Sequence, residues 1–164
     1  MLVGSNAAWC HPVLYQRLAA AKAARGTRIV VIDPRRTSSC DITDLHLAIR
    51  PGADVVVFAG LLAHLAACGA CVNEWIEERA TGFAAALDAA RSTAPSLAAA
   101  SAAADLPLAD LASLYDWFAA TDRVVSLYSQ GVNQSSAGTD KVNAIINCHL
   151  ATVASTARAW GRFR

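Results

Sequence analysis

The sequence predicts a three-layer α/β domain around a short parallel sheet, and three observations carry that reading. Brief β-branched runs recur between stretches of helical spacing. Each run stops in a polar turn. The chain has 164 residues, 55% of them apolar and only 16% charged, enough to bury one domain's core with apolar surface left to hide.

The first strand is Leu2 and Val3, which breaks at Gly4-Ser5-Asn6. The chain starts inside it, so this strand is partial and a frayed sheet edge is expected there. Pro12 suits the first turn of a helix, having a fixed φ and no N–H to satisfy. Leu14, Leu18 and Ala21 continue at helical spacing until Gly26 ends the helix. Residues 27–32 (TRIVVI) read as a buried parallel strand, with residues 29–32 in the sheet, stopping at Asp33-Pro34-Arg35-Arg36-Thr37. Residues 45–49 alternate weakly as a third element, with residues 47–49 expected in the sheet, before the turn Arg50-Pro51-Gly52-Ala53-Asp54.

Residues 55–72 form the longest apolar run, with Asp54 placed to cap a helix at its start. Eighteen residues is the lower edge for a membrane span; Gly60, His64 and Gly69 inside the run favour a buried helix of a soluble domain. Residues 73–120 are Ala-rich and helical, punctuated by Pro95 and Pro107, with Leu108, Leu111, Leu114, Tyr115 and Phe118 along one face. Trp75, Trp117 and Tyr115 read as core or interface aromatics. Sheet character returns at residues 123–128 (RVVSLY), with residues 124–127 as the strand. It ends in Ser129-Gln130-Gly131-Val132-Asn133-Gln134, and a last helix runs through Val142, Ile145, Ile146 and Leu150. Strand, turn, helix and strand in this order make a Rossmann-like sheet, in which ligands lie beyond the carboxyl ends of the strands. All four polar turns fall on that edge.

A net charge of +1 gives no electrostatic case for nucleic acid or an anionic membrane. No basic leader precedes Met1-Leu2-Val3, and a cytoplasmic location is expected. The cysteines, Cys10, Cys40, Cys68, Cys71 and Cys148, are odd in number and scattered, which argues for reduced thiols. Cys68 and Cys71 form a CxxC without a second pair to complete a zinc site, so two small residues at a helix end are the simpler reading. His11, His46, His64 and His149 are scattered and read as structural.

The turns also carry a recognisable string. Gly4-Ser5-Asn6, His11-Pro12, residues 32–37 (IDPRRT), residues 50–54 (RPGAD) and residues 130–134 (QGVNQ) resemble the molybdopterin oxidoreductase family in order and spacing. Gly138-Thr139-Asp140-Lys141 through residues 147–152 (NCHLAT) is most similar to the assimilatory nitrate reductases. The resemblance covers residues 2–152, and five motifs in register make it specific.

That resemblance implies a part of the site for a molybdopterin guanine dinucleotide. Gly4, Ser5 and Asn6, at a strand-to-helix turn, would offer backbone N–H groups to the pyrophosphate. Asp33, beside Pro34, suits a ribose hydroxyl or a guanine N–H; Arg35 and Arg36, with Thr37, suit phosphate. Asp54, after Gly52, would accept from the guanine edge. Gln130, Gly131 and Gln134 would lie toward the pterin and metal. The bland competitors are a strand-ending turn for Asp33 and Pro34, a plain N-cap for Asp54 and solvated arginines. No catalytic or metal-ligating residue is assigned in this chain. The family's 4Fe-4S cysteines, its molybdenum ligand and its carboxyl-terminal barrel have no counterpart here. The implied partners are the missing domains of the same enzyme and a redox donor.

Residues 1–152 are therefore expected to be one cofactor-binding domain, and residues 153–164 a tail that departs from the family's pattern. One extra base before codon 153 lets the tail's codons read Gly-Arg-Ile-Asp-Arg-Ala-Gly-Met-Gly-Pro-Phe-Ser, which is the family's pattern. An out-of-frame tail follows, in which Trp160 and Phe163 are expected to pack poorly. The expected activity is that of a fragment of an enzyme reducing nitrate to nitrite. The alternatives are a formate dehydrogenase type, a stand-alone NAD(P)-binding module, disfavoured because Gly4-Ser5-Asn6 lacks GxGxxG, and an inactive pseudogene product.

Overall fold

The computed structural model describes residues 1–152; the expectations for Trp160, Phe163 and the rest of the tail lie outside the described residues. Four parallel strands form the sheet: β1 (Leu2–Val3), β2 (Val30–Ile32), β3 (Leu45–Leu47) and β4 (Leu127–Tyr128), in the order β3-β2-β1-β4. Helices α1 (Ala7–Cys10) and α2 (Pro12–Arg25) connect β1 to β2, and a 3₁₀ segment, Ser38–Ile42, precedes β3. Between β3 and β4 come α3 (Asp54–Ala67), α4 (Asn73–Arg79), α5 (Phe83–Thr93), α6 (Leu97–Ala104) and α7 (Leu108–Ala119). After β4 come α8 (Gln130–Asn133) and α9 (Gly138–Thr152).

The α/β class and the parallel sheet agree with the sequence, but three strands are shifted and the frayed edge is not found. β1 is interior, flanked by β2 and β4, with Leu2 and Val3 buried. Its two residues set the length of the ladder beside it. Leu2 pairs with Leu127 and Val3 with Tyr128, so the fourth strand is residues 127–128 and not 124–127. The second strand starts at Val30 because the Ile29 N–H donates to the Asp44 carboxylate at 2.7 Å. The third is Leu45–Leu47, paired in register with Val30–Ile32, and not 47–49; Ile49 is buried but follows the ladder.

Pleating sends alternate residues to opposite faces. Val3, Val30, Ile32 and Leu47 enter the main core with α3, α7 and α9, while Leu2 and Val31 join a small cluster with Ala7 and Cys40. Helix α3 is apolar almost all round, as a helix buried among neighbours must be. Val57, Phe58, Leu61, Leu62 and Leu65 are all buried, with α5, α6, α7 and α9 packed around it. Gly60 lies under Tyr115, whose hydroxyl donates to the Val57 carbonyl at 2.7 Å. The apolar run stops as helix at Ala67; Cys68 caps it and Gly69 turns left-handed at φ 75°. Among the described residues no single helix is long and apolar enough to cross a membrane. Gly26 ends α2 in the left-handed region, and the two prolines separate α5, α6 and α7 as expected. On the apolar face of α7, Leu111, Leu114, Tyr115 and Phe118 are buried, whereas Leu108 is half exposed.

Candidate functional site on the carboxyl edge of the sheet

Because all four strands are parallel, their carboxyl ends share one edge, and the motif turns meet there. The chain runs β1, β2, β3 in one direction and then places β4 on the other side of β1. The direction of winding therefore reverses between β1 and β4, which is where such sheets open a crevice for ligands.

The two turns at that reversal touch backbone to backbone. Gly4 has φ 53°, in the left-handed region that glycine takes without strain. Its carbonyl accepts the Gly131 N–H at 3.1 Å. A Cβ on Gly131 would lie 2.8 Å from Gly4 Cα, and one on Gly4 would lie 3.0 Å from Gly131 Cα. Neither position has room for a side chain. Ser5 is buried, and the side-chain oxygen of Asn6 accepts from Ser39 Oγ at 3.1 Å. Ser39 Oγ in turn accepts the Ala8 N–H at 3.0 Å, fastening the start of α1 to the 3₁₀ segment. Thr37 caps that segment by accepting the Ser39 N–H.

Asp33 ends β2 and is 4% exposed. Its Oδ1 accepts the Arg35 N–H at 2.9 Å, and its carbonyl meets His46 Nε2 at 2.9 Å. The carboxylate thus shapes its own turn, which holds Pro34, Arg35 and Arg36 exposed at the edge. The Arg35 guanidinium lies 3.7 Å from Asp33 with most of its side chain in solvent.

Asp54 departs from expectation. It is the first residue inside α3, Ala53 holds the cap position, and no side-chain cap bond forms. Its Oδ2 instead meets Lys141 Nζ at 2.8 Å, with both side chains 6–7% exposed. The N-cap reading fails because a buried ammonium binds that carboxylate more strongly than a helix N–H would. The pair joins the first turn of α3 to the first turn of α9. Sequence reasoning missed this partnership, although a signal existed. Lys141, Ile145 and Cys148 lie on one helical stripe and all three are buried, so a lysine on that stripe required a partner. Gly138 also lies tight against the carbonyl of Asn133, seating α9 on α8.

Gln130, Gln134 and Gly52 are exposed on the edge. Of the histidines, His149 is half-buried, with Nε2 2.7 Å from Ser126 Oγ and its ring edge-on to Phe118. Burial, and then the nearby amino-terminal ammonium, lower its pKa to about 4. The five cysteines are free thiols, and burial raises the pKa of Cys40, Cys71 and Cys148. A cavity of about 700 Å³ lies at the opposite, amino edge and touches none of these turns. Its size does not make it the site, because the motif residues lie elsewhere.

The edge presents both donors and acceptors: two exposed guanidiniums, a turn of Gly4, Ser5 and Asn6, a buried carboxylate at a strand end, and amides from Gln130 and Gln134. An open-edged α/β domain around a four-stranded parallel sheet is the class defined by the fold. The molybdopterin oxidoreductase model matches residues 1–163, and the chain belongs to that family. It is 49% identical over 153 residues to a nitrate reductase of Klebsiella oxytoca, covering 92% of this chain and 17% of that protein. It is 42% identical over 151 residues to a nitrate reductase of Shewanella frigidimarina, covering 92% and 16%. The chain thus spans about a sixth of the length of these relatives. Among solved structures, acetylene hydratase from Pelobacter acetylenicus superposes with a TM-score of 0.82 over 94% of this chain and 21% of that one, at 19% identity.

Proposed function

We propose that this chain is the guanine-dinucleotide-binding part of a molybdenum nitrate reductase, in an enzyme that reduces nitrate to nitrite. The convergence of the motif turns on one edge, with Gly4 and Gly131 in backbone contact at the reversal of winding, carries the reading. The relatives named nitrate reductase supply the substrate; formate is the alternative, since formate dehydrogenases share most of the motifs. Molybdopterin guanine dinucleotide, when bound, supplies the redox centre. The 4Fe-4S cluster, the metal's protein ligand, the other domains and the electron donor belong to the rest of such an enzyme. Nucleic acid and membrane are not expected partners.

In this reading Arg35 and Arg36 neutralise phosphate, and the Gly4-Ser5-Asn6 turn approaches the pyrophosphate closely because no side chain stands on Gly4. Asp33, held by its own turn beside Pro34 and Thr37, takes a ribose hydroxyl or guanine N–H. Asp54 contributes its second oxygen to the guanine edge while Lys141 fixes the first; Gly52 allows the turn before it. Gln130, Gly131 and Gln134 face the pterin end. A cytoplasmic setting accords with five free thiols. Residues 153–164 are read as an out-of-frame tail, which the coding DNA around codon 153 tests directly.

Calorimetry with a guanine dinucleotide tests the site. Binding to the wild-type chain, at least tenfold weaker in the Arg35→Ala/Arg36→Ala variant, is the expected result. An unchanged signal in that variant, or no binding by the folded wild type, removes the site.

A further inference from the structure

Asp33 lies where the β2–β3 ladder runs out. Val31 pairs with His46 and Ile32 with Leu47, and the Asp33 N–H donates to the Leu47 carbonyl at 3.2 Å as the last bond of the ladder. Bonds in a parallel ladder are evenly spaced along the strands, so the next donor due at the Asp33 carbonyl is the Ile49 N–H. No such bond forms. β3 ends at Leu47, and the Arg50 N–H donates to the Ala104 carbonyl at 2.8 Å, drawing the chain toward α6. Asp33 is buried, and a buried carbonyl without a donor costs free energy. His46 supplies the donor from its side chain, with Nε2 2.9 Å from the Asp33 carbonyl oxygen. A carbonyl only accepts, so Nε2 carries the proton in this bond.

Asp33 is thereby held from three sides. Leu47 takes its N–H, His46 holds its carbonyl, and its Oδ1 accepts the Arg35 N–H at 2.9 Å. Oδ2 has no hydrogen bond among the described residues, which leaves it open to a ligand. The Arg35 bond lies inside the turn that Asp33 begins and moves with that turn. The His46 bond comes from the neighbouring strand and fixes the turn against the sheet.

We propose that His46 is a positioning residue of the dinucleotide site: by holding the Asp33 carbonyl, it sets the direction in which Oδ2 meets the ligand's ribose hydroxyl or guanine N–H. Hydrogen bonds weaken steeply as their angle closes, so a turn free to rock would blunt the acceptor without removing it. The inference rests on the reading of Asp33 as ligand-facing and adds a residue that sequence spacing leaves among the structural histidines. A histidine that only tied the end of the sheet would alter binding independently of the Asp33 carboxylate. A positioning histidine acts through that carboxylate alone.

The test is a double-mutant cycle, read by calorimetry with diguanosine pyrophosphate on the 164-residue chain. Asp33→Asn is expected to weaken binding at least tenfold, the scale of a lost hydrogen bond to a charged group. His46→Leu is expected to weaken it at least fivefold, and the double variant to bind about as Asp33→Asn does alone. His46→Gln carries an amide N–H out to the place of Nε2 and is expected to restore wild-type affinity to within about twofold. His46→Asn covers the case in which leucine spoils folding. Its amide reaches only the place of Nδ1, so the position stays polar, the carbonyl loses its donor, and binding is expected to fall as in His46→Leu. Wild-type affinity in both His46→Leu and His46→Asn would overturn the inference and leave the dinucleotide site standing. A double variant that loses the product of the two single losses, or a folded His46→Gln that recovers nothing, would do the same. No binding by the folded wild type removes the site itself, and the role of His46 with it.

Discussion

At the scale of single residues, the buried pair Asp54–Lys141 sets the largest local stakes. Each charge is tolerated in the interior only because the other is 2.8 Å away. Asp54→Asn therefore leaves an ammonium buried without its counter-ion, and a loss of about 3–5 kcal/mol in denaturant stability is expected. Asp54→Leu/Lys141→Met removes both charges and is expected to recover most of that loss, since packed apolar side chains replace a buried pair at little cost. A double variant as unstable as the single one would show that the pair matters through shape and not through charge. His149 gives a pH signature. Its folded pKa of about 4 lies below the ordinary value near 6.5, so the unfolded chain binds the proton more readily between those values. Stability is then fully present above pH 6.5 and is lost as pH falls toward 4. The Tm is expected to fall by roughly several degrees across that window, and His149→Asn is expected to flatten the decline.

At the scale of elements, the contact of the β1 turn with the α8 turn decides whether the carboxyl edge is one surface or two. Gly131→Ala puts a methyl 2.8 Å from the Gly4 Cα, against backbone that has no rotamer to yield. A stability loss of about 1–3 kcal/mol is expected from such overpacking, together with weaker guanine dinucleotide binding in calorimetry as the two turns part. Gly52→Ala, where nothing stands near the added methyl but φ is 90°, separates strain from clash. It is expected to cost about 1 kcal/mol or slightly more and to leave the Gly4–Gly131 spacing intact. The elements themselves were legible in the sequence where local chemistry decides them: Pro12 and Gly26 bound α2, and Pro95 and Pro107 divide the Ala-rich middle. Strand limits were not legible, because they depend on pairing. Residues 124–126 have the β-branched character of a strand, yet the ladder pairs only Leu127 and Tyr128, with Leu2 and Val3. Lys141 escaped for the same reason: its partner lies on another helix, at a sequence distance no periodicity reports.

At the scale of the whole molecule, the arrangement separates holding a cofactor from using one. The described chain supplies one edge of a sheet, carrying the groups proposed to take phosphate and base, while relatives devote about five-sixths of their length to something else. Burial raises the pKa values of Cys40, Cys71 and Cys148, and among the described residues no three His, Cys, Asp or Glu side chains are grouped to hold a metal ion. Cys68 caps the end of α3 and Cys71 follows it, and neither belongs to the turns of the carboxyl edge. A bound dinucleotide would also meet protein on one side only, leaving its far face in water, where electrostatic contacts lose most of their strength. The 164-residue polypeptide supplied with molybdopterin guanine dinucleotide and reduced viologen is therefore expected to form no nitrite above the cofactor-only blank. Residues 1–152 grafted into the Klebsiella enzyme, which provides the remaining surfaces, are expected to support nitrite formation. In that graft Arg35→Ala/Arg36→Ala should lower cofactor content measured as bound molybdenum, with activity per bound molybdenum largely preserved, because in the proposed reading these arginines hold the dinucleotide and do not touch nitrate. Nitrite production by the isolated chain would show that the turns on this edge do more than bind. A graft variant with full molybdenum and lost activity would move the two arginines from holding to chemistry.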